Sequence, residues 1–364
     1  MKRFLLSLTV LFIACFLIPA AHPETIKLKN GKTVEAKIIE KTGKSIKLDI
    51  SGLSITYYLN DIASIDGVSL AKEPQKNSDA VGAYDKGLLF LKQEKYKEAL
   101  AEFNKVIALE PQWASAYANR ANVLDDLGEY DKAILDYDKA LMLKSDPALT
   151  YYNRGLANVR KGNDKQAISD FSKAIEASDK LTDSFYRRGL SYYNTGRFDE
   201  AISDFNKVIE LNPKFVQVYV DRGVAHYDQG DYHQAILDFD AAIGFDPKFV
   251  DAYIERGNAI DQLGDHRRAI SDYNTALRLD PKSSFAFLNR GVTYSRMGSF
   301  KEAISDFNKA LELNPELGKA YYGRSKVYYE KGFYSQALND VDKARSMGVK
   351  VEEDYVKELE ALVR

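Results

Sequence analysis

Cysteine is nearly absent: the 364 residues hold one, Cys15, inside an apolar run near the N-terminus. A lone thiol excludes an intramolecular disulfide and any cysteine-ligated metal. Histidine is almost as scarce, with His22, His226, His233 and His266. None has ligand spacing, and His226 and His233 stand on either side of the turn at Gly230. No nucleophile beside a base and no phosphate-binding glycine loop accompanies them, so the sequence offers no catalytic, cofactor or metal site and points away from an enzyme. Charge of one sign is lacking too. The net value is -2, or -4 without Lys2 and Arg3, too small a field to draw nucleic acid or an anionic membrane. Tryptophan occurs once and proline nine times, while tyrosine (24) and phenylalanine (18) are plentiful, which suits a helical array that reuses one packing plan.

Long apolar runs are confined to the start of the chain. Met1-Lys2-Arg3 precede an apolar stretch from Phe4 to Ile18, then Pro19, Ala20, Ala21 and His22. A charged start, an apolar middle and small residues behind it form the pattern of a secretory signal, here residues 1–21 with cleavage near Ala20 or Ala21. Export to the periplasm or cell envelope follows from it. Two alternatives use the same residues: an uncleaved run of about 18 residues anchoring the chain in a membrane, or Cys15 lipidated after Phe12-Ile13-Ala14. Membrane contact is expected only by those two routes.

From residue 24 to residue 70 the apolar period is two. Thr25 to Lys29 alternates into Asn30-Gly31, a strong hairpin signal. Lys32 to Lys41, Ser45 to Ile50 and Leu53 to Leu59 continue the pattern, with turns at Gly43 and Ser51-Gly52. Four or five short strands are predicted. So small a module with one apolar face must curl or pack on something to keep that face dry. It resembles the small Sm-like or SH3-like barrels. Seven lysines against six acids leave too little charge for an RNA surface, so a structural or docking role is expected. Residues 71–79 are polar, contain Pro74 and read as a linker.

The rest is periodic. With position 1 at Ala80, steps of 34 residues give eight repeats ending at Val351 without insertion or deletion. Position 20 is always alanine, from Ala99 to Ala337. Position 8 is glycine or another small residue, from Gly87 to Ser325. Position 24 is aromatic in all repeats but the last, which has Val341. Small residues let two antiparallel helices approach, and the aromatic fills the space beside them. Glycine at position 15, from Gly128 to Gly332, suits a left-handed helix end. Proline at position 32 stops the second helix in repeats one and four to seven, whereas repeats two and three have Ser145 and Asp179, with Pro147 two places late, where irregular junctions are expected. Beyond the array, Tyr355, Val356, Leu359, Leu362 and Val363 share a helical stripe, as a capping helix over residues 352–364 would require.

These residues resemble the tetratricopeptide-repeat pattern over residues 80–351. The resemblance implies a mainly α fold, a right-handed α-solenoid of helix hairpins with a concave groove lined by the first helix of each repeat, preceded here by the small β-barrel-like module. It also implies a scaffold that binds a protein or peptide segment. A structural envelope spacer or assembly factor without a saturable ligand is the alternative.

Two further positions recur. Position 7 is basic throughout: Lys86, Arg120, Arg154, Arg188, Arg222, Arg256, Arg290 and Arg324. Position 23 is acidic throughout: Glu102, Asp136, Asp170, Asp204, Asp238, Asp272, Asp306 and Asp340. Opposite signs recurring together on facing helices predict structural ion pairs rather than a row of ligand charges. Groove positions carried over from the family bring forward Tyr84, Tyr152, Tyr186, Tyr193, Tyr227, Tyr322 and Tyr329. They also bring acids at Asp221, Asp228, Asp251, Glu255 and Asp261 with Asn258 among them, and a second acidic spot at Asp125-Asp126. Tyrosine offers rigid amphipathic contact area, although any one of these rings could instead pack between repeats. Asn119, Asn122, Asn153 and Asn289 also fall on groove positions. The lysines that let some family members grip a C-terminal carboxylate are missing, so a ligand with apolar and basic character is expected.

Overall fold

The computed structural model describes residues 24–28, 32–41, 45–50, 53–58, 62–65, 68–69 and 77–363. The leader with Cys15 and the Asn30-Gly31 turn lie outside them, as do residues 71–76 of the linker. No described helix is long and apolar enough to cross a membrane. The chain divides into two units at Ser78 and Asp79.

The first unit is a six-stranded antiparallel sheet of β1 (Glu24–Leu28), β2 (Thr33–Lys41), β3 (Ser45–Ile50), β4 (Leu53–Tyr58), β5 (Ile62–Ile65) and β6 (Val68–Ser69), in the order β4-β3-β2-β1-β5-β6. Alternation puts Ile26, Leu28, Ala36, Ile38, Ile46 and Ile62 on one buried face. The register slips between Ile38 and Glu40, the mark of a bulge that bends a strand. Two findings differ from the expectation. β5 and β6 extend the sheet past Leu59, because β5 pairs back onto β1 through contacts too distant in sequence for periodicity to reveal. The expected barrel is also not closed: among the described residues no pairing joins β4 to β6.

The second unit consists of eight helix hairpins and a last helix. The hairpins are α1 (Ser78–Lys92) with α2 (Tyr96–Leu109), α3 (Ala114–Asp126) with α4 (Tyr130–Met142), α5 (Pro147–Arg160) with α6 (Asp164–Ala177), and α7 (Thr182–Asn194) with α8 (Phe198–Leu211). They continue as α9 (Val216–Asp228) with α10 (Tyr232–Phe245), α11 (Val250–Gln262) with α12 (His266–Leu279), α13 (Ser284–Arg296) with α14 (Phe300–Leu313), and α15 (Gly318–Glu330) with α16 (Tyr334–Ser346). The last helix is α17 (Glu353–Val363). First helices also touch in succession, from α3 through α15, and so form one continuous inner face.

The hairpin contact explains the small residues. Phe239 is fully buried, and a Cβ added at Gly223 would stand 2.6 Å from its ring. The alanines at position 20 are all fully buried. Gly128 and its equivalents end the first helices at positive φ. Repeat one has no glycine there, and Glu94 takes the same turn at φ 58°. The junction after repeat two is irregular: Lys144 has φ 60°, Asp146 caps α5, and Pro147 is its first residue. After repeat three the junction keeps the ordinary shape, since Ser178 ends α6 extended, as Asp246 ends α10. In α17, Val356 and Leu359 are buried, whereas Leu362 and Val363 remain exposed.

Candidate functional site

The position-7 arginines and position-23 aspartates meet in repeats two to eight. Arg222 donates Nε to Asp238 Oδ2 at 2.9 Å and Nη2 to Oδ1 at 2.5 Å. Arg120 with Asp136, Arg154 with Asp170, Arg188 with Asp204, Arg256 with Asp272, Arg290 with Asp306 and Arg324 with Asp340 repeat this fork. Each guanidinium also lies near the ring at position 4 of its own repeat, as Arg222 does 5.8 Å from Tyr219. Burial lifts Asp204 above the usual carboxylate range even with Arg188 beside it, so the pair is well withdrawn from water. Repeat one departs: Lys86 is exposed, and no ion pair joins it to Glu102 among the described residues. Lysine cannot reproduce the planar two-point fork.

A further partner was missed from the sequence. The remaining Nη1 of each arginine reaches back to position 25 of the preceding repeat: Arg120 to Asn104, Arg154 to Asp138, Arg188 to Ser172, Arg222 to Asn206, Arg256 to Asp240, Arg290 to Asn274 and Arg324 to Asn308. One side chain therefore closes its own hairpin and ties it to its neighbour. The signal was present, because position 25 always carries a short side chain with an acceptor oxygen.

On the inner face most tyrosines are half-buried and engaged between repeats. Tyr84 stacks on Trp113 at 4.5 Å and accepts from Asn119 at 2.7 Å. Tyr186 donates to Asp221 at 2.7 Å, and Tyr193 to Asp228 at 2.5 Å, each one repeat further on. Tyr227 lies 5.2 Å from Tyr232. Tyr329 donates to Glu358 of α17, and Tyr322 and Tyr329 both meet the Tyr355 ring. Tyr152 rests 5.9 Å from Phe171. These rings stiffen the row of first helices and present only their remaining edges outward.

The acids divide into two kinds. Asp261 does not join the open group: it is buried, paired with Arg296 and bonded to His266 Nδ1 at 2.7 Å, because position 13 of the next repeat reaches back over position 12. Asn258 is committed as well, accepting from Tyr273 at 2.8 Å and donating to Glu255 at 3.0 Å. By contrast Asp221, Asp228, Asp251 and Glu255 on α9 and α11 take part in no ion pair among the described residues. Burial, and then the charges of Asp251 and Asp228, push the Glu255 carboxyl above its ordinary range. Burial also lifts Asp221, against its bonds from Tyr186 and Gln217. In repeats two and three, Asp125 is buried beside Arg160, while Asp126 is exposed. No group of three or more metal-ligating side chains occurs among the described residues.

Comparison with known proteins fits this geometry. Models described as tetratricopeptide repeat match residues 182–215 and 284–317, residues 220–284, and residues 82–112 and 148–180, and one described as TPR repeat matches residues 122–162. Among curated proteins nothing matches. A solved C-terminal part of a TPR repeat-containing protein from Cytophaga hutchinsonii superposes at TM-score 0.57 with 23% identity, covering 66% of this chain and 98% of that one. A tetratricopeptide repeat protein from Parabacteroides merdae superposes at 0.52 with 20% identity, covering 79% and 99%. With matches to the repeat over more than half of its length and the hairpin array they describe, the chain is a tetratricopeptide-repeat protein.

Proposed function

We propose that this protein is an exported, non-enzymatic interaction scaffold of the cell envelope, holding a protein segment of basic and apolar character against the first helices of repeats five and six. One observation carries the proposal: Asp221, Asp228, Asp251 and Glu255 gather on α9 and α11 with no ion pair among the described residues, and two of these carboxyls are pushed up by burial. Unpaired like charges on an inner face are costly in the free chain, and a basic segment laid along them removes that cost. The half-buried tyrosine edges beside them supply apolar contact area. The leader over residues 1–21 would deliver the chain. The six-stranded sheet would serve as a structural or docking module joined by residues 71–79.

Affinity capture with the wild-type chain and with the triple variant Asp221→Lys, Asp228→Lys and Asp251→Lys tests the binding. The partner should be retained by the first and lost by the second, with equal helical circular dichroism. Equal capture by both would refute the acidic groove, and an envelope spacer would retain no saturable partner at all. Fractionation of cells making the full chain tests export, and recovery in the cytoplasm would overturn that part.

A further inference from the structure

Asp125 and Asp261 both stand at position 12 of a first helix, in α3 and α11. Each accepts from an arginine at position 13 of the next repeat, Arg160 and Arg296. They differ at the second carboxylate oxygen. Asp261 Oδ1 is bonded to Nδ1 of His266, at position 17. Repeat two has Tyr130 at that position, and Asp125 Oδ1, in a side chain only 8% exposed, has no hydrogen-bond partner. A buried acceptor left unpaired is rare enough in folded proteins to need a reason.

Asp125 also lines a pocket of about 220 Å³ on the inner face, together with Asn122, Asp126, Tyr137, Asn153 and Arg160. Two carboxylates there face one guanidinium, so the pocket favours a cation and repels an anion. The Asn122 carbonyl oxygen is already filled, by the Tyr137 hydroxyl at 2.6 Å and the Asn153 amide at 3.2 Å. The acceptor in want of a donor is Asp125.

We infer that the pocket between α3 and α5 is a subsite for a lysine or arginine side chain of a bound peptide, which gives Asp125 the donor that His266 gives Asp261. The inference rests on the inner face being a peptide surface, and it places a basic residue well away from the acids of repeats five and six. Its volume suits one long side chain, whose apolar stem can lie along Leu156 while the charged end meets the carboxylates.

The test titrates the isotope-labelled full chain with acetyl-Gly-Lys-Gly-amide and with the norleucine analogue, following the side-chain amide signals of Asn122 and Asn153. The lysine peptide should shift them saturably, and the norleucine peptide should bind at least tenfold more weakly. Tyr130→His, which installs the internal donor, and Asp125→Asn, which removes the charge, should each weaken the lysine peptide at least tenfold. Tyr130→His should do so without lowering the melting temperature. Equal binding of the two peptides, or wild-type affinity in either variant, overturns the inference. Shifts confined to α9 and α11 overturn it while leaving the wider groove in place, whereas capture lost through the triple charge reversal is read independently of this pocket.

Discussion

At the residue scale the arginine of position 7 does the most. Its fork closes one hairpin, its third nitrogen reaches the previous hairpin, and its flat face lies near an aromatic ring. Removing it leaves a nearly buried aspartate without its counter-charge, which costs about 3 to 5 kcal/mol. Arg222→Ala should therefore lower the midpoint of chemical denaturation markedly, while Lys86→Ala, at an exposed residue outside any such pair, should lie within about 0.5 kcal/mol of wild type. Equal midpoints for Arg222→Ala and wild type would remove the ladder from the account. Glu94 supplies an opposite case. It holds φ 58° where every other repeat has glycine, so Glu94→Gly should stabilise the chain by up to about 1 kcal/mol in a thermal melt by relieving that conformation. The fork was legible in the sequence because two charges of opposite sign recur in a fixed register. The reach to position 25 was not, because asparagine, aspartate and serine there look like ordinary surface polarity.

At the scale of the element, helix boundaries followed from two residues with special backbone chemistry: glycine at position 15, which takes the positive φ that ends the first helix, and proline at position 32, which cannot continue the second. Where those residues change, the outcome depended on what replaced them. Pro147 and the Asp146 cap reset the start of α5, while Asp179 left its junction unaltered. The sheet was only partly legible, since β5 finds its partner by returning to β1 across three intervening strands. The buried stripe of the final helix ends one turn before its apolar pattern does, as Leu362 and Val363 stay in solvent. Leu359 is fully buried with Val341 and Val351, and Leu359→Ala should cost about 2 to 5 kcal/mol locally. In an array each repeat touches only its neighbours. Hydrogen exchange should accordingly quicken in α15, α16 and α17 and stay unchanged in α3 through α10. Uniform acceleration along the chain would contradict this local coupling.

At the scale of the whole molecule, the inner face joins two kinds of polar group: those consumed in holding repeats together and those left over. Sequence position alone placed Asp261 and Glu255 in one group. Folding separates them, because Arg296 and His266 reach the first and, among the described residues, no ion pair forms at the second. The remainder has a signature in pH. A carboxyl raised in the folded state binds more protons there than in the unfolded chain, so its contribution to stability is present below the unfolded value near pH 4 and lost as pH rises through the raised one. Glu255→Gln should consequently raise the melting temperature at pH 7 and leave it unchanged at pH 3.5. A lower melting temperature at pH 7 would show that the charge is compensated. A basic partner, which offsets the same charge, should raise the melting temperature most at neutral pH.

The most direct test of the groove is hydrogen–deuterium exchange on the full chain alone and with its captured partner. The account predicts new protection concentrated in α9 and α11. Protection in α10 and α12 instead, with the first helices unchanged, would contradict it.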